Sequence, residues 1–175
     1  MAWVSEIPES QATGQLKSLY ADLHAQGSVF EFYRVQGETP AVVAGEMALV
    51  GSILSDGALS RMQKEQLLVV VSGINTSSYC VALHLDVLRA FGMDRKLARR
   101  LAVDYPSAPV EANMQALFRF ADKLTRRPSE IEQIDVDAVR SAGWSEAALR
   151  EAVQVIALGN FVNRVSIGLG LMADF

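Results

Sequence analysis

Two side chains in this sequence of 175 residues stand at a spacing that can do chemistry: the thiol of Cys80 and the imidazole of His84. A helical residue turns about 100°, so Ser77, Cys80 and His84, at i, i+3 and i+7, fall within an arc of roughly 60° and share one face. The stripe continues into Leu88 and Phe91, both apolar, so this face is expected to point toward protein rather than water. The thiolate is the reactive form of a cysteine, and at neutral pH an unperturbed thiol is only a few per cent ionised. Two neighbours favour the anion. If a helix begins at Thr76 or Ser77, Cys80 lies in its first turn, close to free N–H groups and the positive end of the dipole. His84, one turn on, can take the proton and stay as counter-ion. Burial alone acts in the opposite direction.

The same stripe also fits a packed thiol and a satisfied core histidine, because free cysteine is among the most buried residue types. Glu65 has two readings as well. It is either a favourable charge near a helix N-terminus, or an acid that an apolar helix carries into the core, where it needs a partner such as His84.

The elements that must hold these residues read as helices joined by short polar turns, with no alternating pattern long enough for a sheet; the fold class is all-α. A first helix is expected over about 11–25 and stops at Gly27. Thr39 and Pro40 read as N-cap and first-turn proline of a helix through Leu54. Ser60 with Gln63 forms a capping box that opens the helix of Glu65 and of the apolar run 67–71, a run that taken alone also suits a buried strand. Thr76 or Ser77 caps the helix of Cys80 and His84, which stops at Gly92. Further helices are expected over about 94–103, 110–126 and 136–141, and Ser145 caps the last, reaching about 171.

Composition sets the outer limits. Counting glycine and leaving out tyrosine, about 55% of the chain is apolar against a usual 45–50%, and the surplus points to a homo-oligomer. Sixteen Lys plus Arg against twenty Asp plus Glu give a net charge of −4, without the basic footprint that nucleic acid demands. One cysteine excludes an intrachain disulfide framework and any four-cysteine metal site. Residues 1–10 have no basic start and no apolar stretch of export-signal length, and no apolar run is long enough to span a membrane, so a cytoplasmic protein forming one domain over 1–175 is expected.

The segment from Glu65 to His84, EQLLVVVSGINTSSYCVALH, resembles the core of the AhpD-like alkyl hydroperoxidase and carboxymuconolactone decarboxylase superfamily, whose pattern is a Glu, a cysteine twelve positions later, x-x-Cys and x-x-x-His. The wider chain is similar to the peroxidase-related branch: the opening IPES, the turn GALSRMQKE and the closing NFVNRVSIGLG. Ser77 stands where the pattern has its first cysteine. The resemblance implies an antiparallel helix bundle forming dimers or trimers of dimers. It also implies Cys80 as nucleophile toward a hydroperoxide, His84 as its base and Glu65 as the group that orients or reprotonates His84. With Ser77 at the resolving position, Cys80 sulfenic acid would need an outside thiol, small or protein-borne, to reduce it.

Two other functions fit the same residues: an acid–base enzyme acting on a carboxylated lactone through His84 and Glu65, and a non-catalytic oligomer whose Cys80 senses oxidation. No cofactor and no metal are expected, since Cys80 and His84 supply only two of the three or four ligands zinc needs. A serine nucleophile at Ser77 or Ser78 lacks an oxyanion hole. Arg95, Lys96, Arg99 and Arg100 read as a solvated helix face, and His24 as a surface or interface residue. Asn160, Asn163 and Arg164 interrupt an apolar helix and line either the site or an interface.

Overall fold

The capping box at Ser60 and Gln63 is formed: Gln63 N–H donates to Ser60 Oγ at 3.3 Å, and Ser60 N–H donates to Gln63 Oε1 at 2.8 Å. In the computed structural model, which describes residues 2–173, the described residues contain no strand. In chain order their helices are α1 (Gly14–Ala25), α2 (Glu31–Arg34), α3 (Pro40–Leu54), α4 (Arg61–Ile74), α5 (Ser78–Ala90), α6 (Arg95–Asp104), α7 (Ala112–Arg126), α8 (Gln133–Ser141) and α9 (Glu146–Gly168), with 3-10 turns at Glu9–Gln11, Tyr105–Ser107 and Pro128–Glu130.

The run from Leu67 to Val71 is therefore helical despite its three valines. It forms the middle of α4, which packs against α5, α6, α7 and α9, and its side chains are fully buried. Burying one such side chain contributes about 1.5–3 kcal/mol, more than the ~0.7 kcal/mol at most that helix propensity costs a valine. Close approach of α6 requires Gly73, where a Cβ would overlap the Ala102 carbonyl. A second apolar cluster joins α1, α2 and α3 through Leu16, Tyr20, Phe32, Tyr33 and Val43.

Two junctions set the register of the central helices. Before α4, the buried Lys64 ammonium donates to the Ile53 and Ser55 carbonyls, at 3.0 and 2.6 Å, satisfying the end of α3. It also pairs with Glu151 of α9 at 3.0 Å, and Glu151 accepts from the Ala58 and Leu59 N–H groups. Between α4 and α5, Ser77 N–H donates to the Ser72 carbonyl and Thr76 N–H to that of Gly73, a Schellman turn in which Thr76 adopts φ 56°. A β-branched residue in this left-handed conformation is strained and persists because its surroundings impose it. The turn needs only three residues, so α5 leaves α4 with Cys80 and His84 brought back beside Glu65.

Several boundaries differ from the sequence reading. The first helix begins at Gly14, after a 3-10 turn, and the short α2 had no signal of its own. Thr39 and Pro40 hold the N-cap and first-turn positions of α3 as expected, but the Thr39 hydroxyl donates back to the Gln36 carbonyl at 3.0 Å and accepts no N–H of α3. The last helix stops at Gly168, where Gly170 takes φ 75° and Leu171 N–H returns to the Ser166 carbonyl. Phe91 lies past the end of α5 and is 46% exposed, so the buried stripe ends at Leu88. Among the described residues no helix is long and apolar enough to cross a membrane.

Candidate active site

Arg61, Glu65 and Leu68, at i, i+4 and i+7 of α4, present one face to a cavity of about 840 Å³. From α5, Tyr79, Cys80 and His84 line the same cavity; Leu158 and Val162 of α9, Phe32 and Tyr33 of α2, and part of α3 close it. Its buried floor carries Cys80, His84 and Glu65, which are 2%, 9% and 0% exposed. Cys80 and His84, singled out from spacing, thus line one hollow with Glu65, which the resemblance adds to them.

Glu65 and His84 are in direct contact, with His84 Nδ1 lying 2.6 Å from Glu65 Oε2. The other carboxyl oxygen accepts from Arg61 Nε at 2.7 Å. Burial on its own would push the Glu65 carboxyl upward, but the hydrogen bond and charge of His84, followed by those of Arg61, outweigh it and hold the group below its ordinary value. An ionised carboxylate can only accept, so Nδ1 carries the hydrogen and Nε2 is the imidazole nitrogen left for chemistry. Of the two readings of Glu65, this arrangement matches the buried acid with an obligatory partner.

Cys80 is the third residue of α5. The N–H groups of Ser78, Tyr79 and Cys80 precede the first intrahelical bond, from Val81 N–H to the Ser77 carbonyl, and no side chain caps them. Cys80 Sγ lies 3.4 Å from Ser166 Oγ of α9, a fully buried hydroxyl able to donate to the sulfur. Ser77, the N-cap, is 1% exposed, and its Oγ has no hydrogen-bond partner. Tyr79 O accepts from Phe32 N–H at 3.2 Å, which ties α2 to α5. Burial, followed by the neighbouring negative groups, pushes the Tyr79 phenol up to about 12, so it keeps its proton.

Arg61, Tyr79 and Ser166 were not singled out from the sequence. The spacing of Arg61 and Glu65 at i, i+4 is a visible ion-pair signal, whereas nothing local marks Ser166, which reaches Cys80 only through helix packing. Asn160 and Asn163 do not line the cavity. Asn75 Nδ2 donates to both of their side-chain oxygens, Asn163 donates to Ser72 Oγ and Asn160 to Thr125 Oγ1, a network that joins α9 to the end of α4 and to α7. Arg164 donates to the Asn160 carbonyl from the surface. His24 is exposed and 3.5 Å from Glu9. Among the described residues no group of three or more His, Cys, Asp or Glu is placed to hold a metal ion.

No family model matches the chain, and no curated protein matches it. Solved structures do. An uncharacterized peroxidase-related protein from Silicibacter sp. TM1040 superposes with a TM-score of 0.88 at 25% identity, over 98% of this chain and 91% of that one. A peroxidase-related protein from Ralstonia eutropha JMP134, described as an alkylhydroperoxidase AhpD core, gives 0.89 at 19% identity over 99% and 92%. A cysteine-to-alanine variant of the debrominase Bmp8, in complex with 2,3,4-tribromopyrrole, gives 0.81 at 18% identity over 96% and 89%. The chain thus shares its all-helical fold with peroxidase-related and AhpD-like proteins, a likeness that supports the AhpD-like superfamily.

Proposed function

We propose that the protein is a thiol peroxidase that works with one cysteine. Cys80 gives its proton to His84 Nε2, and the thiolate attacks the terminal oxygen of a hydroperoxide. An S–O bond forms as the O–O bond breaks, and the departing alkoxide takes the proton back from His84. The products are Cys80 sulfenic acid and an alcohol. Glu65 holds Nδ1–H, fixes the tautomer and stabilises the imidazolium formed in between; Arg61 holds the far carboxyl oxygen. Ser166 Oγ–H and the free N–H groups of the first turn of α5 favour the thiolate.

The observation that supports this reading above others is the floor of the cavity, where the sulfur, the imidazole and its carboxylate partner line one sheltered space. We further propose that residues 1–175 act as one domain in a homo-oligomer. Peroxide consumption by Cys80→Ser tests the reaction. The peroxidase loses it entirely, while an acid–base enzyme working through His84 and Glu65 keeps turning over its own substrate.

A second reading is favoured by the likeness to the debrominase, whose structure holds a brominated pyrrole. The apolar upper wall of the cavity here, with Phe30, Phe32 and Leu83, suits a flat halogenated ring. Bromide release from 2,3,4-tribromopyrrole in the presence of a thiol, absent in Cys80→Ser, is the result that would favour debromination.

A further inference from the structure

We propose that the reductant that returns Cys80 to its thiol is a low-molecular-weight thiol that enters through the substrate cavity, and not a cysteine on the surface of another protein. The inference rests on the single-cysteine reading and names the partner that reading requires. The chain contains one cysteine, and the position three residues before it is Ser77, so no thiol of the same chain can resolve the sulfenic acid. Reduction then takes two outside thiols. The first attacks sulfur, forms the mixed disulfide and releases water; the second attacks the mixed disulfide, leaving Cys80 as thiol and a free external disulfide.

The first attack requires the incoming sulfur to reach bonding distance, about 2 Å, from Cys80 Sγ; the second falls on the outer sulfur of the mixed disulfide, with Cys80 as the leaving group. Cys80 is 2% exposed and packed against Ser166, on the cavity floor. Above it the exposed lining residues, Asp22, Gln26 and Ser28 on one side and Ala48 and Gly51 on the other, form a mouth between the end of α1 and α3. A cysteine held on a folded surface has to pass between these helices to reach the sulfur, whereas a small thiol has only to enter the cavity. The cavity of about 840 Å³ falls in the range that admits a drug-sized molecule, ample for a small thiol.

The test starts from folded protein whose Cys80 has been converted to a mixed disulfide with 2-hydroxyethyl disulfide. Peroxide plays no part in this loading. Release of mercaptoethanol is then followed with glutathione and with reduced thioredoxin at equal thiol concentration, and repeated on the urea-unfolded chain. Glutathione is expected to be at least about tenfold faster on the folded protein, with that advantage lost on the unfolded chain. Thioredoxin matching or beating glutathione on the folded protein overturns the proposal, as does a sulfur that the small disulfide cannot load. Failure of peroxide to produce a dimedone-trappable sulfenic acid overturns the peroxidase reading separately.

Discussion

His84 and Glu65, on different helices and nineteen residues apart, are joined by a 2.6 Å hydrogen bond from Nδ1–H to Oε2. The bond fixes the ring and also makes the site part of the fold's stability. The Glu65 carboxyl lies below its ordinary value of 4.5, mainly because His84 and Arg61 overcome the cost of burial. Its folded value is thus lower than its unfolded one, so ionised Glu65 stabilises the fold above about pH 4.5, and this stabilisation is withdrawn as pH falls through the folded value. Glu65→Gln is expected to cost about 2–3 kcal/mol at pH 7, and the deficit is expected to shrink in acid. Urea unfolding of both proteins at neutral pH and at about pH 3.5 measures it.

Ser166 is expected to act on the sulfur rather than on the fold. Removing its hydroxyl in Ser166→Ala takes away a donor to the thiolate, worth about 1.5–3 kcal/mol for a charged acceptor. Iodoacetamide alkylation of Cys80 at pH 7 is then expected to slow about tenfold, while the unfolding midpoint moves little.

Ser77→Cys restores the missing thiol at a buried N-cap three residues before Cys80, where the serine hydroxyl has no partner to lose. One equivalent of peroxide is expected to consume both thiols of this variant and form an intrachain disulfide. In the parent protein the oxidised sulfur remains available to dimedone. Thiol counting and peptide mass mapping distinguish these products.

Much of the site was legible because it is local. Ser77, Cys80 and His84 share a stripe on one helix, and the Ser60 capping box marks the start of the helix that carries Glu65. The apolar run from Leu67 to Val71, ambiguous between strand and helix, is resolved by burial on all sides, which no window of sequence contains. Ser166 and the asparagine network depend on how α9 lies against α4, α5 and α7, and that packing brings together residues more than 80 positions apart. Thr39 shows the reverse case: it holds the N-cap position that its type suggests, yet its hydroxyl donates to the Gln36 carbonyl and accepts no N–H of α3. Helix α2 is four residues long, too short for a periodic signal.

The central claim is that His84, held by Glu65, makes the Cys80 sulfur reactive. Its most direct test is the rate of Cys80 alkylation in the parent protein and in His84→Gln, at pH 7 and again at about pH 10, where any accessible thiol ionises without help. The account predicts a loss of at least about tenfold at pH 7 that largely disappears at the higher pH. Equal rates at pH 7, or a deficit of the same size at both pH values, would contradict it.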